Sequence, residues 1–276
     1  MPQRPPFPRS ASQHSAPPPL LLLAASVLAL LLALPVATLL LRAMRPDVLA
    51  ALTLPTALDA LRLSLLTTSL TLGLTILLGT PLAYLLARYA FPGKRLVETL
   101  VDLPVVLPPV VAGVALLLVF GRRGLVGAPL ADAGIDLAFT TSAVVLAQLF
   151  VASPLYVRAL KVAFAAVPRS VEEAARIDGA SQLGALRHVT LPLALSGMIE
   201  GSVLAWARAL GEFGATIVFA GSIAGRTRTM PLEIYAALER DLDAAIATSA
   251  LLAVAAFALF LAVRFTSRAG ASPAAD

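Results

Sequence analysis

The feature that most constrains the fold of this chain is a series of long apolar runs that contain no charged side chain. A helix that crosses the hydrocarbon core of a bilayer needs about 20 mostly apolar residues. Five uncharged runs have about this length, at residues 20–41, 63–87, 103–121, 137–157 and 244–263. A sixth apolar segment, at about 189–224, is interrupted only by Glu200, Arg208 and Glu212. The pattern predicts an all-α polytopic membrane protein with six transmembrane helices.

These runs take up most of the 276 residues and leave no room among them for a separate soluble domain. Residues 1–19 are rich in Pro and Ser and predict a disordered N-terminal tail. Residues 20–265 are predicted to form the six-helix transmembrane domain, and residues 266–276 a C-terminal tail. The run 20–41 exceeds the apolar region of a cleaved signal peptide, which is about 7–15 residues long. It therefore predicts a retained first helix.

Several kinds of site are excluded by residue content. The sequence has no Gly-rich loop that ends in Lys-Ser or Lys-Thr, so any ATP must be bound by another polypeptide. It has no cysteine, which excludes disulfides and thiolate metal sites. Its two histidines, His14 and His188, are far apart in the sequence, and we predict neither a metal site nor a bound cofactor. We attribute the net charge of +5 to membrane topology and expect no nucleic-acid partner.

The basic residues predict the orientation, because cytoplasmic loops of membrane proteins carry an excess of Lys and Arg. If six helices cross the membrane and both termini are cytoplasmic, twelve basic residues fall inside and eight outside. This orientation places residues 168–192 in the cytoplasm and residues 222–243 outside.

A polar, helix-forming segment, PRSVEEAARIDGASQLGALRHVTLP at residues 168–192, separates two of the apolar runs. Helical spacing places Glu172 and Glu173 on one face with Arg176, beside a low-profile surface that includes two alanines. Gly179 stands where a first helix would end in a left-handed residue, shortly before a second helix begins. By itself, the pattern also fits an ordinary amphipathic loop.

The same segment resembles the EAA loop of binding-protein-dependent ABC importer permeases. In that family the loop is a cytoplasmic pair of short helices that docks on an ATPase subunit. The resemblance therefore assigns coupling to the ATPase to Glu172, Glu173, Ala174, Ala175, Asp178, Gly179, Ala180, Leu191 and Pro192. One departure is Leu186, which stands where the family pattern commonly has a phenylalanine.

A second informative segment, WARALGEFGAT at residues 206–216, places ionisable groups inside an apolar run. Such groups are costly in a membrane and usually face a bundle interior or an aqueous path. Arg208 and Glu212 are four residues apart and can pair on a helix. Gly211 and Gly214 permit local unwinding or close approach of another helix. Two interpretations stay open: an ion pair that stabilises packing, and a polar element of the translocation pathway or its gate.

Residues 102–127 and 210–235 resemble the corresponding segments of molybdate ABC transporter permeases, with related versions in sulfate and tungstate permeases. Together with the EAA loop, the resemblance covers about residues 57–264. It implies a type I ABC importer permease fold in the bacterial inner membrane, surrounded by lipid. It also implies a homodimer, ABC ATPase subunits that bind ATP and Mg, and a periplasmic oxyanion-binding protein.

Two other functional classes are an intramembrane enzyme and a purely structural membrane subunit. The sequence contains no GxSxG motif, no HExxH motif and no paired aspartates within the apolar runs, so we predict that the chain is not an enzyme. Neither class requires a docking loop of the kind found at residues 168–192. Four arginines of the predicted outer loops either attract an anion or acidic partner surface or are simply solvated: Arg122, Arg123, Arg226 and Arg228.

Overall fold

A computed structural model describes residues 18–46, 48 and 55–269, and all regular secondary structure in these ranges is helical. The predicted all-α class is therefore confirmed. The predicted disordered tail falls almost entirely on residues 1–17, which lie outside the described residues. The helices are α1 (Pro19–Ala43), α2 (Pro55–Arg88), α3 (Lys94–Val106), α4 (Pro109–Phe120), α5 (Gly127–Asp132), α6 (Thr141–Ala166), α7 (Arg169–Ile177), α8 (Gln182–Leu193), α9 (Leu195–Leu210), α10 (Gly214–Phe219), α11 (Met230–Leu238) and α12 (Leu242–Ala269).

In the described ranges, four continuous helices are long and apolar enough to cross a membrane: α1, α2, α6 and the first 20 residues of α12. Two bent pairs of helices meet the same test of length and composition when each pair is taken together: α3 with α4, bent by 120°, and α8 with α9, bent by 72°. Counting each pair as one span gives the six that the sequence predicts. The chain divides after Arg42 into a unit that contains most of α1 and a second unit with α2 to α12.

The apolar run at 103–121 does not form one straight helix in the structure. Helix α3 begins at Lys94, and the chain becomes extended at Leu107 and Pro108, where ψ is 134° and 136°. A residue that precedes proline is displaced from the helical region, and Pro109 is well suited to start the next helix. Helix α4 has only 12 residues and is about 18 Å long. The chain therefore bends at Leu107 and Pro108, where a straight helix would otherwise continue.

Helices α2 and α6 run parallel to each other. Thr71 Oγ1 lies 3.1 Å from Gln148 Oε1, and near the far end Arg88 Nη2 donates to the Val167 carbonyl at 2.9 Å. The sequence separations of these pairs, 77 and 79, are nearly equal, which is the register of parallel helices. The intervening α3–α4 pair must therefore return the chain to the opposite end of the bundle.

Helix α9 packs antiparallel on α6 through glycines. Gly197 lies against Ala163, and a Cβ at Gly201 would lie 3.1 Å from the Cβ of Ala159. The GxxxG pair thus forms a close helix contact within the chain. Because α6 and α9 are antiparallel, the segment that joins them, residues 168–192, lies at the end of the bundle where Arg88 terminates α2.

A buried polar stripe runs along α2, within the stretch that the sequence predicts only as an apolar span. Each of its hydroxyl side chains has another three or four residues away, so they share one face. They are Ser64, Thr67, Thr68, Thr71 and Thr75. Ser64 Oγ accepts a hydrogen bond from the Met230 amide at 2.7 Å, which ties the start of α11 to α2.

Helix α12 continues beyond the predicted end of the transmembrane domain at residue 265 and reaches Ala269. Residues 262–269 contain neither glycine nor proline, which are the residues that most disfavour a helix.

Candidate functional site

The segment 168–192 folds as a helical hairpin, with α7 and α8 joined at Gly179. Gly179 has a φ of +94°, the left-handed conformation that the sequence predicts. The Ala180 amide donates to the Ala175 carbonyl at 2.9 Å, which closes the end of α7. Ser181 Oγ then accepts from the Gly184 amide at 3.1 Å and caps the start of α8. Residues within the hairpin therefore specify both the end of α7 and the start of α8.

The hairpin presents an exposed surface on which apolar and polar side chains alternate. Ile177 is 85% exposed and Leu183 is 72% exposed, one on each side of Gly179. Of the nine predicted coupling residues, five are exposed on this hairpin: Glu173, Ala174, Asp178, Gly179 and Pro192. The other four are partly buried: Glu172, Ala175, Ala180 and Leu191. Among these, Leu191 packs on the core cluster formed by α2, α6 and α9.

Glu172 differs from its neighbour Glu173 because its side chain turns toward the bundle. Glu172 Oε1 lies 2.9 Å from Arg88 Nη2 and accepts a hydrogen bond from Thr190 Oγ1 at 2.6 Å. Thr190 is fully buried at the end of a π-helical turn in α8, and Leu186 begins that turn. The sequence does not predict this cluster, since Arg88 is distant from Glu172 and Thr190 along the chain.

The second predicted site lies where α9 ends. Glu212 lies two residues beyond Leu210, the last residue of α9, and its side chain is only 1% exposed. Its Oε2 lies 2.6 Å from Arg208 Nη1, and its Oε1 accepts a hydrogen bond from the Ala215 amide at 2.7 Å. The pair predicted for one continuous helix is therefore present, but it spans a helix end. Glu212 also stabilises the start of α10, because it satisfies an amide that has no partner within that helix.

Helices α4 and α10, both short, cross at glycines. A Cβ at Gly214 would lie 2.5 Å from the Cβ of Pro109, and one at Gly113 would lie 2.9 Å from the Ala215 carbonyl oxygen. Gly214 therefore permits the close approach of two helices that the sequence predicts, here α4 and α10. Gly211 does not, since a Cβ there would make only an ordinary contact of 3.7 Å and its φ is −86°.

At the opposite end of the bundle, a buried carboxylate organises the loop before α11. Glu233 lies 3.4 Å from Arg228 Nη1 and 3.3 Å from Arg240 Nη2, and its side chain is almost fully buried. Arg228 also donates to the Ser222 hydroxyl and carbonyl. Arg228 is therefore a structural residue of this loop, whereas Arg226 is exposed. The sequence signal was weak: a single acidic residue in the apolar segment of α11.

Within the described residues, no group of three or more His, Cys, Asp or Glu side chains is arranged to hold a metal ion.

Comparisons with known proteins agree with this architecture. Residues 79–269 match the family model described as the binding-protein-dependent transport system inner membrane component. The chain is 48% identical to the molybdenum transport system permease protein ModB of Mycobacterium tuberculosis, over 84% of this chain and 88% of the relative. It is 46% identical to ModB of Escherichia coli, over 66% of this chain and 80% of the relative.

Solved structures show the same fold. A chain of a bacterial ABC transporter involved in the import of the acidic polysaccharide alginate has a TM-score of 0.70 at 18% identity, covering 92% of this chain and 96% of its own. A chain of the MetNI methionine ABC transporter has a TM-score of 0.63 at 19% identity, covering 82% and 99%. The predicted resemblance and the ABC importer permease fold are confirmed. This multi-pass membrane protein belongs to the family of binding-protein-dependent transport system inner membrane components.

Proposed function

We propose that the chain is the permease subunit of an ATP-driven importer of molybdate. The observation that carries this proposal is its 48% identity to a molybdenum transport permease over 84% of its length. Sulfate and tungstate permeases are the alternatives, because they share related versions of residues 102–127 and 210–235. The chain is not an enzyme in this proposal. ATP and Mg bind to the partner ATPase.

Coupling to that ATPase is assigned to the exposed surface of the hairpin at residues 168–192. Ile177 and Leu183 project from a polar segment outside the long apolar helices, so lipid tails do not explain their exposure. Exposed apolar side chains with a polar rim are typical of protein contacts. The exposed acidic residues Glu173 and Asp178 lie close to Ile177 in the sequence. The arrangement supports docking of the hairpin in a groove of the ATPase.

Two further partners belong to the proposal. A second copy of this chain completes the translocation pathway as a homodimer, and a periplasmic binding protein delivers the oxyanion. One structural relative, an alginate ABC transporter, is described in complex with a substrate-bound periplasmic protein. In this chain, the exposed Arg123 and Arg226 lie in the loops that face the periplasm under the proposed orientation. The positive charge of these two arginines favours contact with an acidic surface on the periplasmic binding protein.

An uptake experiment tests the substrate. Bacteria that lack their own molybdate permease receive this chain together with its ATPase and binding protein, and accumulated molybdenum is measured. We expect molybdenum uptake that requires all three components, that tungstate inhibits and that excess sulfate leaves unchanged. Restored uptake of labelled sulfate without molybdenum uptake would overturn the molybdate assignment.

The proposed orientation has both termini and the hairpin in the cytoplasm. Because the chain has no cysteine, single cysteines report accessibility without background. Ser170 in the hairpin and Ala224 in the opposite loop are both exposed, so Ser170→Cys and Ala224→Cys are suitable probes. A membrane-impermeant thiol reagent applied to intact cells with a permeable outer membrane should label position 224 strongly. Position 170 should react only after the inner membrane is opened. The reverse pattern would exclude this orientation.

A further inference from the structure

A cluster of three side chains joins the hairpin to the bundle, and we call it the Arg88–Glu172–Thr190 clamp. One carboxylate oxygen, Glu172 Oε1, binds Arg88 Nη2 at 2.9 Å and Thr190 Oγ1 at 2.6 Å. The three residues belong to α2, α7 and α8. A single atom therefore connects both arms of the hairpin to the end of a membrane helix.

The clamp also includes the junction between α6 and α7. Arg88 Nη2 donates to the Val167 carbonyl at 2.9 Å, and Arg169 Nη2 donates to the Arg88 carbonyl at 3.4 Å. Val167 is the residue that separates α6 from the start of the hairpin. The Arg88 guanidinium thus holds two helix ends at once, and the Glu172 carboxylate supplies its countercharge.

The side chains of the clamp are shielded from solvent. The Arg88 side chain is 7% exposed, that of Glu172 is 15% exposed, and Thr190 is fully buried. A buried ion pair gives little net stability, but loss of one partner is strongly destabilising because the other charge is left without compensation. In some proteins such pairs specify one arrangement of the chain over its alternatives. Here the preferred arrangement is a fixed angle between hairpin and bundle.

We propose that Glu172 is a positioning residue that transmits movement of the hairpin to the bundle and makes no contact with the ATPase. The inference rests on the proposed function, and it separates the two adjacent glutamates. Glu173 is exposed on the docking surface, whereas Glu172 faces inward. With the clamp intact, the hairpin cannot tilt unless the ends of α2 and α6 move with it. Without the clamp, the hairpin tilts while the bundle stays in place.

The test compares Glu172→Gln with the matched control Glu173→Gln in the complete transporter, reconstituted in proteoliposomes with molybdate as substrate. Two quantities are measured: the affinity of the permease for the ATPase, and the ATP hydrolysed per molybdate imported. For Glu172→Gln we expect unchanged affinity and a rise of about tenfold in ATP per ion, which corresponds to loss of one charge-assisted hydrogen bond. For Glu173→Gln we expect weaker ATPase binding and an unchanged ratio.

Two further variants separate positioning from stability. The double variant Arg88→Gln with Glu172→Gln removes both charges, so its melting temperature should exceed that of Glu172→Gln alone while import stays uncoupled. Thr190→Val removes only the hydroxyl contact and should raise the ATP-to-molybdate ratio by a smaller factor. Normal coupling in Glu172→Gln would overturn the proposal. So would a double variant that recovers coupling together with stability, or Glu172→Gln protein that no longer binds the ATPase.

A separate variant tests whether the hairpin is the surface that binds the ATPase. Ile177→Ser changes the exposed surface and leaves the clamp intact, so it should weaken ATPase binding. If it does not, the hairpin is not the docking surface, and the proposed coupling and the clamp inference are both overturned. If it does, normal coupling in Glu172→Gln overturns the clamp inference alone.

Discussion

Replacing Gly179 with valine is expected to uncouple ATP hydrolysis from import while leaving the membrane bundle folded. The backbone of Gly179 has a φ of +94°, which costs about 1–2 kcal/mol for a residue with a Cβ and is especially unfavourable for a β-branched one. Nothing lies within 4 Å of a Cβ at this position, so the added Cβ meets no neighbouring atom. The strain therefore falls on the hairpin alone, and the angle between α7 and α8 must change.

The measurement is import and ATP hydrolysis in proteoliposomes that contain the assembled transporter, where we expect import to fall about tenfold or more. Gly93→Val is the matched control, because Gly93 has a φ of +82° and equally open surroundings but lies outside the hairpin. Gly179→Asn should retain more import than Gly179→Val, since asparagine tolerates the left-handed region better. Wild-type import by the valine variant, with normal ATPase assembly, would count decisively against the coupling loop.

Separate removal of Arg208 and Glu212 is expected to lower the amount of folded permease, with partial recovery in the double variant. Arg208→Ala leaves the Glu212 carboxylate, which is 1% exposed, without its countercharge; such a loss costs about 3–5 kcal/mol in a buried pair. Glu212→Ala should be milder in its charge effect because the Arg208 side chain is 32% exposed. The double variant recovers only in part, since Glu212 Oε1 also accepts from the Ala215 amide.

Folded permease is measured by size-exclusion chromatography in detergent, and import by the recovered protein is measured after reconstitution. Arg208→Met with Glu212→Gln is the matched variant, because glutamine keeps an acceptor for the Ala215 amide while both charges are lost. Normal assembly with impaired import would place the pair on the pathway or its gate, and normal import would make it a packing element. Equal amounts of folded protein in the single and double variants would exclude the pairing.

Much of this architecture is predictable because its causes are local. A membrane excludes unpaired backbone groups, so long apolar runs must be helical wherever they cross it. The hairpin is equally local: Gly179 adopts a conformation that other residues avoid, and Ser181 caps the following helix with its own side chain. The prolines at 108 and 109 also mark a break. In each case the determinants lie within a few residues of the structure they produce.

Other features depend on residues that only the tertiary structure brings together. The prolines do not specify the 120° bend, which depends on where α3 and α4 find packing partners. Gly113 is required because α10 passes over it, and the stripe that includes Thr71 is polar because it faces α6 and not lipid. Arg88 and Glu172 meet only because α2 and α6 run parallel and end side by side. The sequence by itself therefore determines which segments are helical and where they break, since those choices depend on local backbone energetics. The tertiary structure decides which charges of distant segments meet, such as Arg88 and Glu172, since that depends on the register between helices far apart in the chain.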